Sequence, residues 1–192
     1  MFIPKHFEIQ DKEEIFAFIK ANAFGQLISS HAGKLLSTHL PFLVSHDRSK
    51  LIAHLARQNP QWQSLEGQEV LITLEGPHDY ISPSWYSSPS VPTWNYQAVH
   101  IYGICTVFND TARLKKAVDD LSHKYESSFE KPWQPVYREA MLNAIVGVEI
   151  EISDIQCQYK LSQNRSAEDR QEVIKQLKIR GASKLAAAME KI

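Results

Sequence analysis

Ile15, Phe16, Phe18 and Ile19 recur on one side of a 3.6-residue repeat, which predicts a helix over roughly residues 12–22. Asp11 and Glu14, three residues apart, supply its N-cap and the partner of that cap. The pattern then shortens to strand-like stretches at Phe24–Ser30, Lys34–Ser45 and Leu51–Ala56. "HAGK" and "HDRSK" separate them, with Gly33 and Asp47–Ser49 providing turn chemistry. In "NPQWQSL", Asn59 caps and Pro60 opens a short helix reaching about Glu66. "EVLITLE" (Glu69–Glu75) is a strand closed by Gly76-Pro77, and Tyr96–Phe108 alternates as a long strand. Helices are expected at Asp110–Tyr125 and Pro135–Leu142, and a β-branched strand at Ile145–Ile155. Two final helices are expected, Ala167–Ile179 and Ser183–Lys191. Consecutive strands with helices outside imply a mainly β, α+β architecture built on a closed or nearly closed antiparallel barrel. No repeat or linker interrupts it, so one domain is expected over 1–192, with its C-terminal helices at about 167–191.

One stretch fits neither period. "GPHDYISPSWYSSPSVPTWNY" (Gly76–Tyr96) holds four of the nine prolines, two of the four tryptophans and three of the seven tyrosines. Prolines hold such a segment extended, with little entropy left to lose on binding. Tyr80 and Ser82 offer hydroxyls there, and Trp85 and Trp94 offer flat faces. A hydrophobic plug, a recognition loop and a cofactor wall are all compatible with it.

Composition narrows the function classes. A net charge of −1 gives no basic excess of the kind that holds nucleic acid. No apolar run can span a bilayer. "MFIPKHFEIQDKEE" lacks the apolar core of a leader, and Cys105 and Cys157 lack CxxC spacing, so a cytoplasmic location with reduced thiols is expected. The eight histidines follow no zinc spacing, no GxSxG elbow accompanies the serines, and seven glycines form neither GxGxxG nor a P-loop. No metal is expected, and no catalytic residue is identifiable.

An anion site of another kind remains. "STHLPF" sets Thr38 and His39 on one strand, and "HLARQNPQW" runs from His54 through Arg57 to the cap Asn59 and Trp62. A cation beside a helix start suits phosphate, although a solvated charge at a strand end is the commoner fate of a lone Arg. "YKLSQNRS" gathers Lys160, Ser162, Gln163 and Asn164 after the last strand, where a polar connection capped by Ser166 is the plain alternative.

"HLARQNPQW", "GPHDYISPSWY", "VPTWNY" and "KLSQNR", in this order with "MFIPKHF" and "THLPF", resemble the PaiB family of FMN-binding negative transcriptional regulators. The resemblance implies a split β-barrel like that of pyridoxamine phosphate oxidase, forming a homodimer with FMN at the interface. It implies Thr38, His39, His54 and Arg57 on the phosphate side, and Asn59 and Trp62 in the adjoining wall. Lys160, Ser162, Gln163 and Asn164 would reach the same groove, from the second subunit in one version. It also favours Tyr80, Ser82, Trp85 and Trp94 as a stiff wall beside the flavin. Alternatives from other classes are a flavin-dependent oxidoreductase and a binder of another planar anion, such as haem or pyridoxal phosphate. The basic tail, with Arg165, Arg170, Lys175, Lys178, Arg180 and Lys184, could imitate a helix-turn-helix. An amphipathic pair of packing helices is the simpler reading, so DNA binding is expected to be weak and salt-sensitive at most.

Overall fold

A computed structural model describes residues 1–192 apart from Glu139. Its strands are β1 (Phe24–His31), β2 (Lys34–Pro41), β3 (Leu43–Val44), β4 (Lys50–Ala56), β5 (Glu69–Ile81), β6 (Thr93–Phe108) and β7 (Ile145–Lys160). The helices are α1 (Lys12–Ala21), α2 (Thr111–Glu126), α3 (Glu139–Leu142), α4 (Ala167–Ile179) and α5 (Ser183–Met189). The strands form one antiparallel sheet in the order β2-β1-β5-β6-β7-β4-β3, and it is not closed.

The edge strands β2 and β3 are nonetheless joined through Phe42 alone. Two Cα steps span at most about 7.6 Å, so the ends of these strands lie close and the sheet curls without sealing. Phe42 is fully buried, and its N–H donates to the Ala23 carbonyl at 2.8 Å. That is the split barrel expected from the sequence.

The chain packs as two compact units. The first comprises Met1–Phe18, Glu75–His100 and Gln156–Ile192. Its core includes Phe7, Phe18, Ile81, Val99, Tyr159 and Leu161, with Val173, Ile174 and Leu177 from α4 and Leu185, Ala186 and Met189 from α5. Gly181, at φ 83°, ends α4, and the Ala182 N–H returns to the Leu177 carbonyl at 2.9 Å, satisfying a helix-end acceptor.

The second unit comprises Ile19–Leu74 and Ile101–Ile155. Alternation buries Leu51, Ala53 and Leu55 of β4, while Lys50, Ile52 and His54 take the other, half-buried face. Phe108, Leu114 and Ala117 form a smaller cluster with Ile52 and Ile145 against it.

Several elements differ from the pattern reading. The strand expected over Lys34–Ser45 breaks at Phe42 into β2 and β3, and β7 runs on to Lys160. Gly76-Pro77 does not end its strand: β5 runs on to Ile81. A Cβ at Gly76 would lie 2.7 Å from the Phe18 ring, so this glycine serves close packing rather than a turn. Pro77 lies beyond Leu71–Thr73, the part of β5 that pairs with β1. The helix expected over Pro135–Leu142 shrinks to α3. Tyr137 lies outside any helix or strand, tied by its hydroxyl contact with Ser122 at 3.1 Å and its edge-on contact with Trp133. The turn capped by Asn59 is a 3-10 helix, Pro60–Ser64.

Candidate functional site

The sequence-derived site residues fall in both units, and each group has its own geometry. In the second unit, Thr38 and His39 are adjacent on β2, so their side chains leave opposite faces. Thr38 turns inward: its hydroxyl donates to Gln61 Oε1 and accepts from Asn59 Nδ2 at 2.9 Å. His39 is exposed and stacks on Phe24, with ring centroids 6.1 Å apart.

Asn59 acts as a cap, its Oδ1 accepting the Gln61 N–H at 3.0 Å. Gln61 is the hub of this group, fully buried, with its Nε2 donating to the Leu27 carbonyl at 3.0 Å and Ser29 Oγ at 2.8 Å. Pattern reading missed it because a glutamine in a short polar helix carries no periodic signal.

Arg57 is held by the protein itself. Its Nε donates to the Asn143 carbonyl at 2.6 Å, and its Nη2 donates to Asn109 Oδ1 and the Ile145 carbonyl, each at 2.9 Å. Trp62 Nε1 donates to the Arg57 carbonyl at 2.8 Å. His54 is half-buried, and desolvation lowers its pKa.

In the first unit, an open pocket of about 410 Å³ is lined by Met1, Glu75, His78, Trp94, Tyr96, Gln97, Ala98 and His100. That size lies within the roughly 300–1,000 Å³ usual for small-molecule sites. Trp94, Tyr96, Ala98 and His100 share one face of β6 through its two-residue period. Trp94 is 53% exposed; His78 lies at 6.2 Å and Tyr80 meets it edge-on at 6.3 Å, centroid to centroid. Burial, then the N-terminal ammonium, lowers the pKa of His100, opposed by Glu75. His78, Tyr96 and His100 were not among the flavin-site residues expected from the sequence, although the alternation beginning at Trp94 carried the signal for Tyr96 and His100.

Lys160, expected after the last strand, is instead the final residue of β7, and it braces this wall. Lys160 Nζ donates to Thr93 Oγ1 and to the Trp94 carbonyl, the latter at 2.9 Å, and desolvation lowers its pKa. Ser162, at φ 66°, is buried, and its Oγ accepts from the buried Asn95 Nδ2 at 2.9 Å. Gln163 closes the turn after β7 on itself, donating to the Tyr159 carbonyl and accepting the Leu161 N–H. Asn164 is exposed.

The proline-rich segment is fastened to α4. Asp169, 6% exposed, accepts both the N–H and the Oγ of Ser87 through Oδ1. Arg165 lies over Tyr86 at 4.6 Å and donates to Ser90, and Arg180 lies over Trp85 at 5.8 Å. Ser82 caps the short 3-10 turn Pro83–Trp85. Trp85 is therefore engaged by an arginine, and Trp94 is the tryptophan with an open face in the pocket.

Other chemistry is limited. Burial pushes Cys105 and Cys157 up to about 12, so both thiols stay protonated near neutrality. Among the described residues, no group of three or more His, Cys, Asp or Glu is placed to hold a metal, and no helix is long and apolar enough to cross a membrane.

A curled, unsealed antiparallel sheet with an open aromatic pocket is the architecture of split-barrel flavoproteins. Solved structures with this fold include a flavocytochrome from Azotobacter vinelandii, 15% identical with a TM-score of 0.69, covering 87% of this chain and 77% of that one. Another is an FAD- and haem-binding protein from Mycobacterium smegmatis, 11% identical with a TM-score of 0.67, covering 85% and 78%. At such identities the likeness is one of fold. The family model described as a putative FMN-binding domain matches residues 1–154, and the chain belongs to that family. It is 42% identical over 185 residues to the protease synthase and sporulation protein PAI 2 of Bacillus subtilis (strain 168), spanning 92% of this chain and 89% of that relative. The family read from the motifs is thus the family shown, and FMN is the cofactor its description names.

Proposed function

We propose that this protein is an FMN-binding homodimer of the PaiB type, acting as a flavin-dependent negative regulator. The family match across residues 1–154 supports the FMN-binding part of this reading. The residues fit the group. Trp94 offers a half-exposed flat face beside His78 and Tyr80, and the braced Lys160–Gln163 stretch holds that wall rigid. When bound, FMN supplies a redox-active ring; the chain's own residues receive and orient it. In the second unit, taken by itself, His54 and Arg57 stay proposed as phosphate-binding residues. Arg57 acts there with the guanidinium hydrogens its three partners leave free.

Regulation through direct DNA contact has little to draw on. Lys175 pairs with Glu172, Lys178 with Glu190, Arg170 donates to the Ile192 carbonyl, and Arg165 and Arg180 lie over aromatic rings. The protein's own DNA binding is weak, so its regulatory output passes through a ligand or partner. Nanomolar, sequence-specific gel shifts at physiological salt would overturn that statement.

The binding test is a titration of purified protein with FMN, read by tryptophan fluorescence. FMN is expected to quench Trp94, and Trp94→Leu to remove that quenching and weaken binding. Arg57→Ala is expected to cost about 1.5–3 kcal/mol of FMN affinity if the guanidinium touches the phosphate. Unchanged affinity in both variants would remove these residues from the site, and absence of FMN binding would sink the reading. A second reading, an FMN-dependent oxidoreductase, is favoured by the two imidazoles, His78 and His100, that line the same pocket. NAD(P)H oxidation on adding FMN would support it over a sensor.

A further inference from the structure

α2 and the segment after it enclose a second pocket, of about 520 Å³, within the second unit. Asp119, Ser122, His123 and Glu126 line it from one face of α2, at helical spacings of three, four and seven. Pro132, Trp133 and Pro135 form the opposing apolar wall. This wall is fixed in advance. The Trp133 N–H donates to Glu126 Oε2 at 2.8 Å, Tyr137 contacts Ser122, and Trp133 packs edge-on to Tyr137 at 5.9 Å.

The lining carries two carboxylates and no lysine or arginine. Asp119 Oδ2 takes the Lys115 ammonium at 2.6 Å, but Asp119 Oδ1 is buried with no hydrogen-bond partner. An anionic oxygen left so is costly, and a turn of the partly exposed carboxyl toward the pocket would let an incoming donor relieve it. Glu126 adds a second negative charge, and an indole face attracts cations. Lys115 displays the same chemistry at close range, its ammonium bonded to Asp119 and 6.0 Å from the Tyr137 ring centre. The apolar wall asks the incoming cation to carry a hydrocarbon body. FMN carries no cationic group to set against these carboxylates.

We infer that this pocket binds a protonated alkyl amine, its ammonium held by Asp119 and Glu126 and its chain laid against Trp133 and the two prolines. The inference stands apart from the flavin reading. The experiment is calorimetric titration of the full chain with n-hexylammonium chloride, against hexan-1-ol and hexanoate of equal chain length. At about pH 8 the amine is still charged and an ordinary histidine is neutral. Saturable binding of the ammonium is expected, with the alcohol and the carboxylate about tenfold weaker or worse. Glu126→Gln keeps an acceptor for the Trp133 N–H while removing the charge. That variant and Trp133→Leu should each weaken binding roughly threefold or more. Equal binding of alcohol and ammonium, no binding of the ammonium, or full affinity in both variants would overturn the proposal. The ligand comparison on the unmodified chain decides even if a variant fails to fold.

Discussion

Replacing Gln61 by leucine tests whether one buried amide organises the second unit's polar group. The substitution keeps volume roughly constant and leaves the backbone N–H that Asn59 caps. It deletes the donor shared by the Leu27 carbonyl and Ser29 Oγ, and the acceptor of the Thr38 hydroxyl. Gln61 is fully buried and Ser29 is 3% exposed, so water cannot readily replace the lost partners. Two buried groups left short cost about 1–3 kcal/mol each, and the leucine returns about 1–2 kcal/mol through apolar burial. The net loss is about 2–4 kcal/mol, which in a chain of this size lowers Tm by roughly 5–15 °C. Thermal and urea unfolding followed by circular dichroism measure it. Asn59→Ala, which removes a cap and one bond to Thr38, should cost only about 1 kcal/mol. If Gln61→Leu costs less than Asn59→Ala, the amide is not the hub and the hydrogen-bond argument fails.

Gly147→Ala places a Cβ 2.2 Å from the Phe108 ring, so the ring must move; a loss of at least about 1–3 kcal/mol is expected in urea unfolding, and a neutral result would show the cluster yields freely. Asp169→Ala removes the acceptor of two bonds from Ser87 and should free the proline-rich segment, seen as faster proteolysis between residues 82 and 92 while the core stays folded. The lowered pKa values of His54 and His100 fix a pH dependence. The unfolded chain takes up protons around the ordinary histidine value of 6.5 while the folded protein still resists them. Stability is therefore full above that pH and declines as pH falls below it, until the folded groups also protonate. His54→Gln should flatten the decline; an unchanged slope would mean burial of this ring is not its source.

Much of the framework was legible in the residues themselves, because it rests on local chemistry. Period-two alternation in β1, β4, β6 and β7 separates a core face from an outer one whatever else the chain does. Caps such as Asp11, Asn59 and Ser166 act on amides two or three residues away, and each does so here. The family was legible because whole strings, not single residues, carry it. Gly76 and Pro77 show the limit. The same pair serves a turn or a strand, and only Phe18, brought from far along the chain, decides that the glycine is there for space.

The candidate site shows that limit more sharply. Sequence supplied Arg57, Trp85 and Trp94 as comparable cations and aromatic faces. Tertiary structure turned Nε and Nη2 of the first to the carbonyls of residues 143 and 145 and to Asn109, and set Arg180 over the second, leaving the third open beside His78 and Tyr80. Composition determines which donors and faces exist. Which of them stay available depends on partners brought in from distant parts of the chain, and a linear pattern holds no record of that.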